Sequence, residues 1–170
     1  VINTRTEVFP EEVERMSGVS VIHIQPEEFD HGGTRDMGFA LSDAGILVFM
    51  TQDALPADAE MIGELVKPLF EAKLVGVSYA RQLPAKGCDI IERYTRSFNY
   101  PKEGRVKGLE DLPEMGIKTF FCSDVCSAYR REIYQEMGGF TRRTIFNEDM
   151  VMAAKMIKAG YRVAYAANSR

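Results

Sequence analysis

Three short segments hold residues whose types and spacing could do chemistry. Thr51-Gln52-Asp53-Ala54 follows the apolar run Ile46-Leu47-Val48-Phe49-Met50. In open α/β sheets ligands bind beyond the carboxyl ends of the strands, and a carboxylate there can hold a divalent cation that itself holds a diphosphate. From the tetrapeptide alone, a turn or N-cap aspartate before a helix near Pro56 is the plainer reading. Asn147-Glu148-Asp149-Met150 opens a segment with Met152, Ala153, Met156 and Ile157 at helical spacing. One of its carboxylates could take the proton from an attacking hydroxyl as a general base. Acidic residues in a first helical turn are also explained by the helix dipole alone. The third segment is His31-Gly32-Gly33-Thr34-Arg35-Asp36-Met37-Gly38. Glycines before a helix let a backbone approach phosphate, and Arg35 adds a permanent cation. A tight turn with a solvated helix face is the alternative, and His31 reads as a surface histidine.

The elements that must position these residues follow from periodicity. Residues 19–24, 46–50 and 74–79 read as strands, the second as one buried on both faces. Helices are expected over residues 10–16, 34–43 and 61–70, with Pro68 bending the last of these or marking its final turn. This β-α-β-α-β order argues for a mostly parallel sheet flanked by helices. Residues 83–118, with Pro84, Pro101 and Pro113, read as a long irregular insert. A strand over 117–122, helices over 130–137 and 148–159, and a last strand over 161–165 complete the pattern. The basic pairs Arg130-Arg131 and Arg142-Arg143 read as solvated faces.

Composition narrows the classes. A chain of 170 residues with 45% hydrophobic residues suits one domain with a proper core. A net charge of −4 gives no basic footprint for nucleic acid. The three cysteines, Cys88, Cys122 and Cys126, form no disulfide pattern and suit a reducing compartment. With only His23 and His31, a histidine-rich metal site is excluded. No apolar run reaches membrane-spanning length, and no signal peptide is visible. Val1-Ile2-Asn3 reads as the tail of a strand. The expectation is therefore a single domain over 1–170 whose first strand and C-terminal part are missing.

The order of the motifs adds more than any one of them. Ala128-Tyr129-Arg130-Arg131, Gly138-Gly139-Phe140, Glu148-Asp149 and Ala159-Gly160-Tyr161-Arg162-Val163 together resemble the family 2 inverting glycosyltransferases over nearly the whole chain. A narrower resemblance is to the bacterial rhamnosyltransferase-like subgroup. It rests on His31-Gly32-x-Thr34-Arg35, Phe49-x-Thr51-Gln52-Asp53-Ala54, Arg81-Gln82-Leu83-Pro84, Phe98-Asn99-Tyr100-Pro101 and Lys118-Thr119-Phe120-Phe121.

The resemblance implies an A-type, nucleotide-diphospho-sugar transferase fold and transfer of rhamnose or a related hexose, with inversion, in cell-surface polysaccharide synthesis. It implies dTDP-rhamnose or another nucleotide sugar as donor, a saccharide or lipid-linked saccharide as acceptor, and a divalent cation, Mg2+ or Mn2+. Asp149 matches the catalytic base, with Glu148 beside it, and Asp53 matches the metal carboxylate, with Gln52 in the same donor motif. Asn3 stands where the family has a base-contacting aspartate, and Arg35 belongs to the segment beside the nucleotide. The implied location is the cytoplasm, at the inner face of the membrane. Thr51 departs from the first acidic residue of the usual D-x-D pattern, Asn3-Thr4-Arg5-Thr6-Glu7 from the usual "DSGSTD", and Asp36 from the subgroup's asparagine. The competing readings are a sugar nucleotidyltransferase, whose Gly-rich, lysine-containing loop is not seen here, and a non-catalytic nucleotide-sugar-binding module.

Overall fold

Strand residues alternate between two cores, and this alternation builds a layered α/β structure. The computed structural model describes residues 1–5 and 9–170. Thr6 and Glu7, the end of the segment compared with "DSGSTD", lie outside the described residues. A short two-stranded parallel sheet pairs β1 (Ile2–Thr4) with β2 (Ile22–Ile24), which follows α1 (Glu11–Glu14). The main sheet has five strands: β3 (Ile46–Met50), β4 (Val75–Ala80), β5 (Arg105–Lys107), β6 (Cys126–Arg130) and β7 (Arg162–Ala166). Their order is β3-β6-β4-β7-β5.

The flanked α/β architecture is the one expected, but the sheet is more mixed than mostly parallel. β4 and β7 run parallel, whereas β6 lies antiparallel between β3 and β4, and β5 antiparallel on β7. The reason is visible in the chain: β6 enters from the turn-rich segment before it and runs straight into a helix without a crossover.

One face of the sheet is covered by α3 (Met61–Glu71), the other by α2 (His31–Ala40), α6 (Arg131–Glu136) and α7 (Glu148–Lys158). Met61, Leu65 and Leu69 of α3 pack on Val75, Ala80, Cys126, Ala128 and Ala164. These small sheet residues let α3 lie close. On the opposite face Val77, Tyr79, Tyr129, Val163 and Tyr165 meet Met152, Met156 and Ile157 of α7. Pro68 lies inside α3, in its last turn, where its carbonyl accepts the Ala72 N–H.

The basic pair Arg130-Arg131 is not a solvated face. Arg131 donates to the carbonyls of Ala44 (2.7 Å) and Phe39 (3.1 Å), closing the C-terminus of α2, and its guanidinium lies over the Phe39 ring. Arg130 reaches the Leu69 carbonyl at the end of α3.

The segment expected to be irregular contains α4 (Ile90–Asn99) and β5. Residues 117–122, expected as a strand, instead form a 3-10 turn, Gly116–Phe120, followed by extended chain. The buried Lys107 ammonium explains this: it gathers the carbonyls of Lys118 and Phe121, a curl no strand would present. The strand lies later, at β6. A short helix, α5 (Leu112–Met115), precedes the turn.

Candidate active site

Two sets of residues meet at one edge of the main sheet. The first lines a cleft of about 230 Å3 where β3 and β4 end and β6 begins; its walls include Asp53, Arg81, Gln82, Arg96, Val125 and Arg170. The Thr51 N–H donates to the Val125 carbonyl at 3.1 Å, tying the segment after β3 to the start of β6. Asp53 is exposed and its pKa is lowered, chiefly by the Thr51 hydroxyl, which nevertheless forms no hydrogen bond of ordinary geometry. Arg81 contributes a buried Nε with no hydrogen-bond partner. An unpaired buried donor of this kind is costly unless something else accepts from it. Gln52 is exposed on the turn and lies outside the cleft wall.

The second set surrounds Arg35. Its guanidinium contacts Glu148 Oε1 at 2.5 Å and lies 3.2 Å from Asp124 Oδ2. The Asp124 contact is a charge contact rather than an aligned hydrogen bond, since Oδ2 has no hydrogen-bond partner. Asp124 is fully buried; its Oδ1 accepts from the hydroxyls of Ser127 (2.6 Å) and Tyr129 (2.8 Å). Burial pushes its pKa up to about 6, against the opposing pull of Arg35.

Asp149 is half-buried, and two backbone amides orient it. Asp124 N–H donates to Oδ2 at 3.1 Å and Met150 N–H to Oδ1 at 2.7 Å. Burial raises the Asp149 pKa, and these two amides oppose the rise. The result is a carboxylate of fixed direction and increased basicity, beside the residue whose neighbour Val125 lines the cleft.

Backbone geometry ahead of α7 sets this up. Asn147 precedes Glu148 with φ 70°, in the left-handed region that asparagine tolerates better than most residues. The loop before it is clamped to α2: Asp30 caps that helix by accepting the Gly33 N–H (2.6 Å) and also accepts the Arg143 N–H (2.6 Å). Asp36 accepts from the Phe140 N–H at 3.0 Å and from the Tyr134 hydroxyl. The glycines of His31-Gly32-Gly33 therefore sit inside the first turn of α2 rather than before it, and the Asp30 side chain accepts one of the amides of that turn, from Gly33. Gly32 packs against the Thr141 carbonyl, where no Cβ would fit.

The structure thus brings together Arg35, Glu148 and Asp149, and places Asp53 along the same sheet edge. Asn3 stands apart in the two-stranded sheet, its amide 3.1 Å from His23 Nδ1. Sequence reasoning passed over Asp124, which sat between two cysteines, and did not single out Arg81, Gln82 or Arg96 for the cleft. Asp124 carried no periodic or motif signal. Arg81 and Gln82 do follow a buried strand, the position at which ligand-binding residues are sought. All three cysteines are free, Cys122 and Cys126 buried, as expected. Among the described residues no group of three or more His, Cys, Asp or Glu is placed to hold a metal.

The molecule is a mixed sheet between helices, with acidic residues and arginines converging on the strand ends. The chain belongs to glycosyl transferase family 2, whose family model matches residues 3–138. It is 43% identical over 155 residues to the O-antigen chain rhamnosyltransferase RfbN of Salmonella typhimurium, covering 91% of this chain and 49% of that protein. It is 41% identical over 151 residues to the O-antigen chain rhamnosyltransferase WbaN of Salmonella anatum, covering 88% of this chain and 48% of that one. The chain thus spans about half the length of these curated relatives. Among solved structures, the mannosyltransferase PcManGT from Pyrobaculum calidifontis, in complex with GDP-Man and Mn2+, shares the fold. The TM-score is 0.59 at 17% identity, over 87% of this chain and 39% of that one.

Proposed function

We propose that this chain is the transfer domain of an inverting glycosyltransferase that moves rhamnose or a related hexose from a nucleotide diphosphate to a saccharide acceptor in surface-polysaccharide synthesis. The observation that carries the reading is Asp149: a half-buried carboxylate aimed by two amides, at the same sheet edge as an arginine-lined cleft. In an inverting transfer the acceptor hydroxyl attacks the anomeric carbon opposite the diphosphate. The new carbon–oxygen bond forms as the bond to phosphate breaks. Asp149 takes the hydroxyl proton, and no protein nucleophile is needed. Glu148, paired with Arg35, keeps the guanidinium beside the base rather than free in the cleft.

The diphosphate falls to the cleft. Arg81 and Arg96 supply positive charge there, and the unpartnered Arg81 Nε suits a phosphate oxygen. Asp53 and the Thr51 hydroxyl offer a divalent cation one carboxylate and one neutral oxygen. That donor set fits a cation arriving with the diphosphate and keeping several waters, as Mg2+ does. Bound there, the cation would neutralise charge developing on the leaving phosphate. The Mn2+ and GDP-Man held by the mannosyltransferase of like fold support this reading. Gln52 and Asn3 are assigned to donor contacts only through the family resemblance.

The donor is read as dTDP-rhamnose, on the motifs shared with the rhamnosyltransferase subgroup and on the names of the two relatives. The enzyme is read as cytoplasmic, working at the inner face of the membrane. Its free thiols support the compartment, and no helix among the described residues is long and apolar enough to cross a bilayer. The test is a competition between dTDP-rhamnose and UDP-glucose on the full-length enzyme. Preferential release of dTDP supports the rhamnosyl reading; preference for the UDP sugar overturns it and leaves the transferase standing.

A further inference from the structure

Helix α4 is amphipathic, but it turns its apolar side outward. Ile90, Ile91, Tyr94 and Phe98 lie along one stripe of the helix and are 81%, 72%, 68% and 55% exposed, whereas Glu92, Arg96 and Asn99 on the other side are half-buried. An apolar stripe of this size left in water marks a surface that something covers. We propose that it seats the enzyme on an anionic lipid bilayer, with the helix lying in the plane of the headgroups. The inference rests on the inner-face reading above and names the surface that meets the membrane.

The charges beside the stripe select this occupant. Arg93 flanks it on the helix itself, and Lys86 and Lys102 stand exposed before and after the helix. The Lys118 ammonium rests on the Phe98 ring, 3.2 Å from its centroid, and donates to the Phe98 carbonyl at 3.2 Å. The acids of the segment are engaged elsewhere: Asp89 accepts the Glu92 N–H at 2.7 Å, and Glu92 accepts the Ala85 N–H at 3.3 Å. Only Glu103, next to Lys102, opposes the cations. Positive charge thus gathers round an apolar centre in a chain whose net charge is −4. Branched and aromatic residues bordered by long basic side chains suit a helix lying in a bilayer interface, where each cation adds attraction to anionic headgroups. A second copy of the chain fits less well. A two-fold contact across this stripe would set the cations of one copy against those of the other.

Orientation gives the docking a use. The half-buried side of α4 carries Arg96 to the wall of the cleft that also holds Asp53, Arg81 and Gln82. With the stripe among the headgroups, the cleft lies across one helix from the membrane, about 10 Å away. A saccharide carried on a membrane lipid would reach it there. Packing within the molecule does not account for the helix, which buries none of its own residues.

The test is co-sedimentation of the full-length protein with vesicles of phosphatidylcholine alone and of phosphatidylcholine mixed with phosphatidylglycerol. Wild type is compared with the double variant Ile90→Ser/Ile91→Ser and with Arg93→Glu, which tests the charge without touching the apolar residues. Wild type should bind the mixed vesicles, and less so as salt is raised. Each variant should lose about tenfold or more in partition, with donor hydrolysis in the absence of lipid unchanged. Variants that bind as wild type does overturn the assignment to α4 and leave the inner-face reading standing. A wild type that binds neither vesicle overturns both. Melting temperature and light scattering without lipid test the other occupants. A fall of several degrees in the double variant means that the stripe packs against the rest of the protein, and a dimer that the double variant dissolves means that a second copy covers it. Either result overturns the membrane assignment.

Discussion

Asp124 and Asp149 are both pushed up by burial, the first against the pull of a guanidinium and the second against two backbone amides. Asp124 is sealed under Arg35, Ser127 and Tyr129, and its pKa rises from 3.8 to about 6. Because the folded state holds this proton more tightly than the unfolded chain, the contribution is full below about pH 4. It is lost as pH climbs to about 6, a difference on the order of 3 kcal/mol. Urea unfolding across that interval should show wild type losing stability relative to Asp124→Asn as pH increases. Parallel curves would remove the proton from Asp124. Asp53 is the opposite case: exposed, with a pKa lowered chiefly by the Thr51 hydroxyl. Asp53→Asn should weaken cation-dependent binding of dTDP in the full-length enzyme while leaving the melting temperature within a degree or so, as expected for an exposed site. Calorimetry showing equal binding with cation present would free Asp53 of that role.

At the scale of elements, glycines decide how α2 and the loop before α7 meet. A Cβ on Gly32 would lie 2.4 Å from the Thr141 carbonyl oxygen, and one on Gly139, already at φ 78°, would lie 2.9 Å from Asp36 Oδ1. Gly32→Ala should cost about 1–3 kcal/mol, as overpacking does. Gly63→Ala in the open interior of α3, where a Cβ meets nothing within 4 Å, should gain about 0.5–1 kcal/mol. Denaturant midpoints of the two variants test the contrast, and equal shifts would refute it. Much of this architecture was legible in the sequence: β4, α3, α7 and β7 follow from buried runs and helical stripes within a residue or two, whereas β3 has the expected extent but is not buried on both faces, because it is the edge strand and leaves Val48 and Met50 exposed. Helix α4 was missed although Ile90, Ile91, Tyr94 and Phe98 stand at helical spacing, because Pro84, Pro101 and Pro113 made the whole segment read as irregular. Its cap was the available signal: Asp89 accepts the Glu92 N–H at 2.7 Å, the helix-start spacing of an acid followed three residues later by glutamate. The 3-10 turn Gly116–Phe120 was misread as a strand because two phenylalanines look β-forming and the buried lysine that curls them is remote in sequence. In the candidate site, the helix start that carries Glu148 and Asp149 was readable, while their roles rested on the family resemblance. Asp124 was not, since its role depends on Arg35 arriving from a distant helix.

On the scale of the whole molecule, charge is divided across one sheet edge. Arg81, Arg96 and Arg170 line the cleft on one side, and on the other Asp124 and Glu148 flank the Arg35 guanidinium with Asp149 beside them. The proposed transfer uses that division, with positive charge for the leaving diphosphate and a base for the attacking hydroxyl. The chain spans about half the length of its curated relatives, so turnover is to be measured on the full-length protein. The most direct measurement compares wild type with Asp149→Asn for dTDP release from dTDP-rhamnose in the presence of saccharide acceptor, beside donor affinity by calorimetry. The account predicts unchanged donor affinity and turnover lower by roughly two or more orders of magnitude, the scale of a general base. Near-wild-type turnover in Asp149→Asn would contradict it.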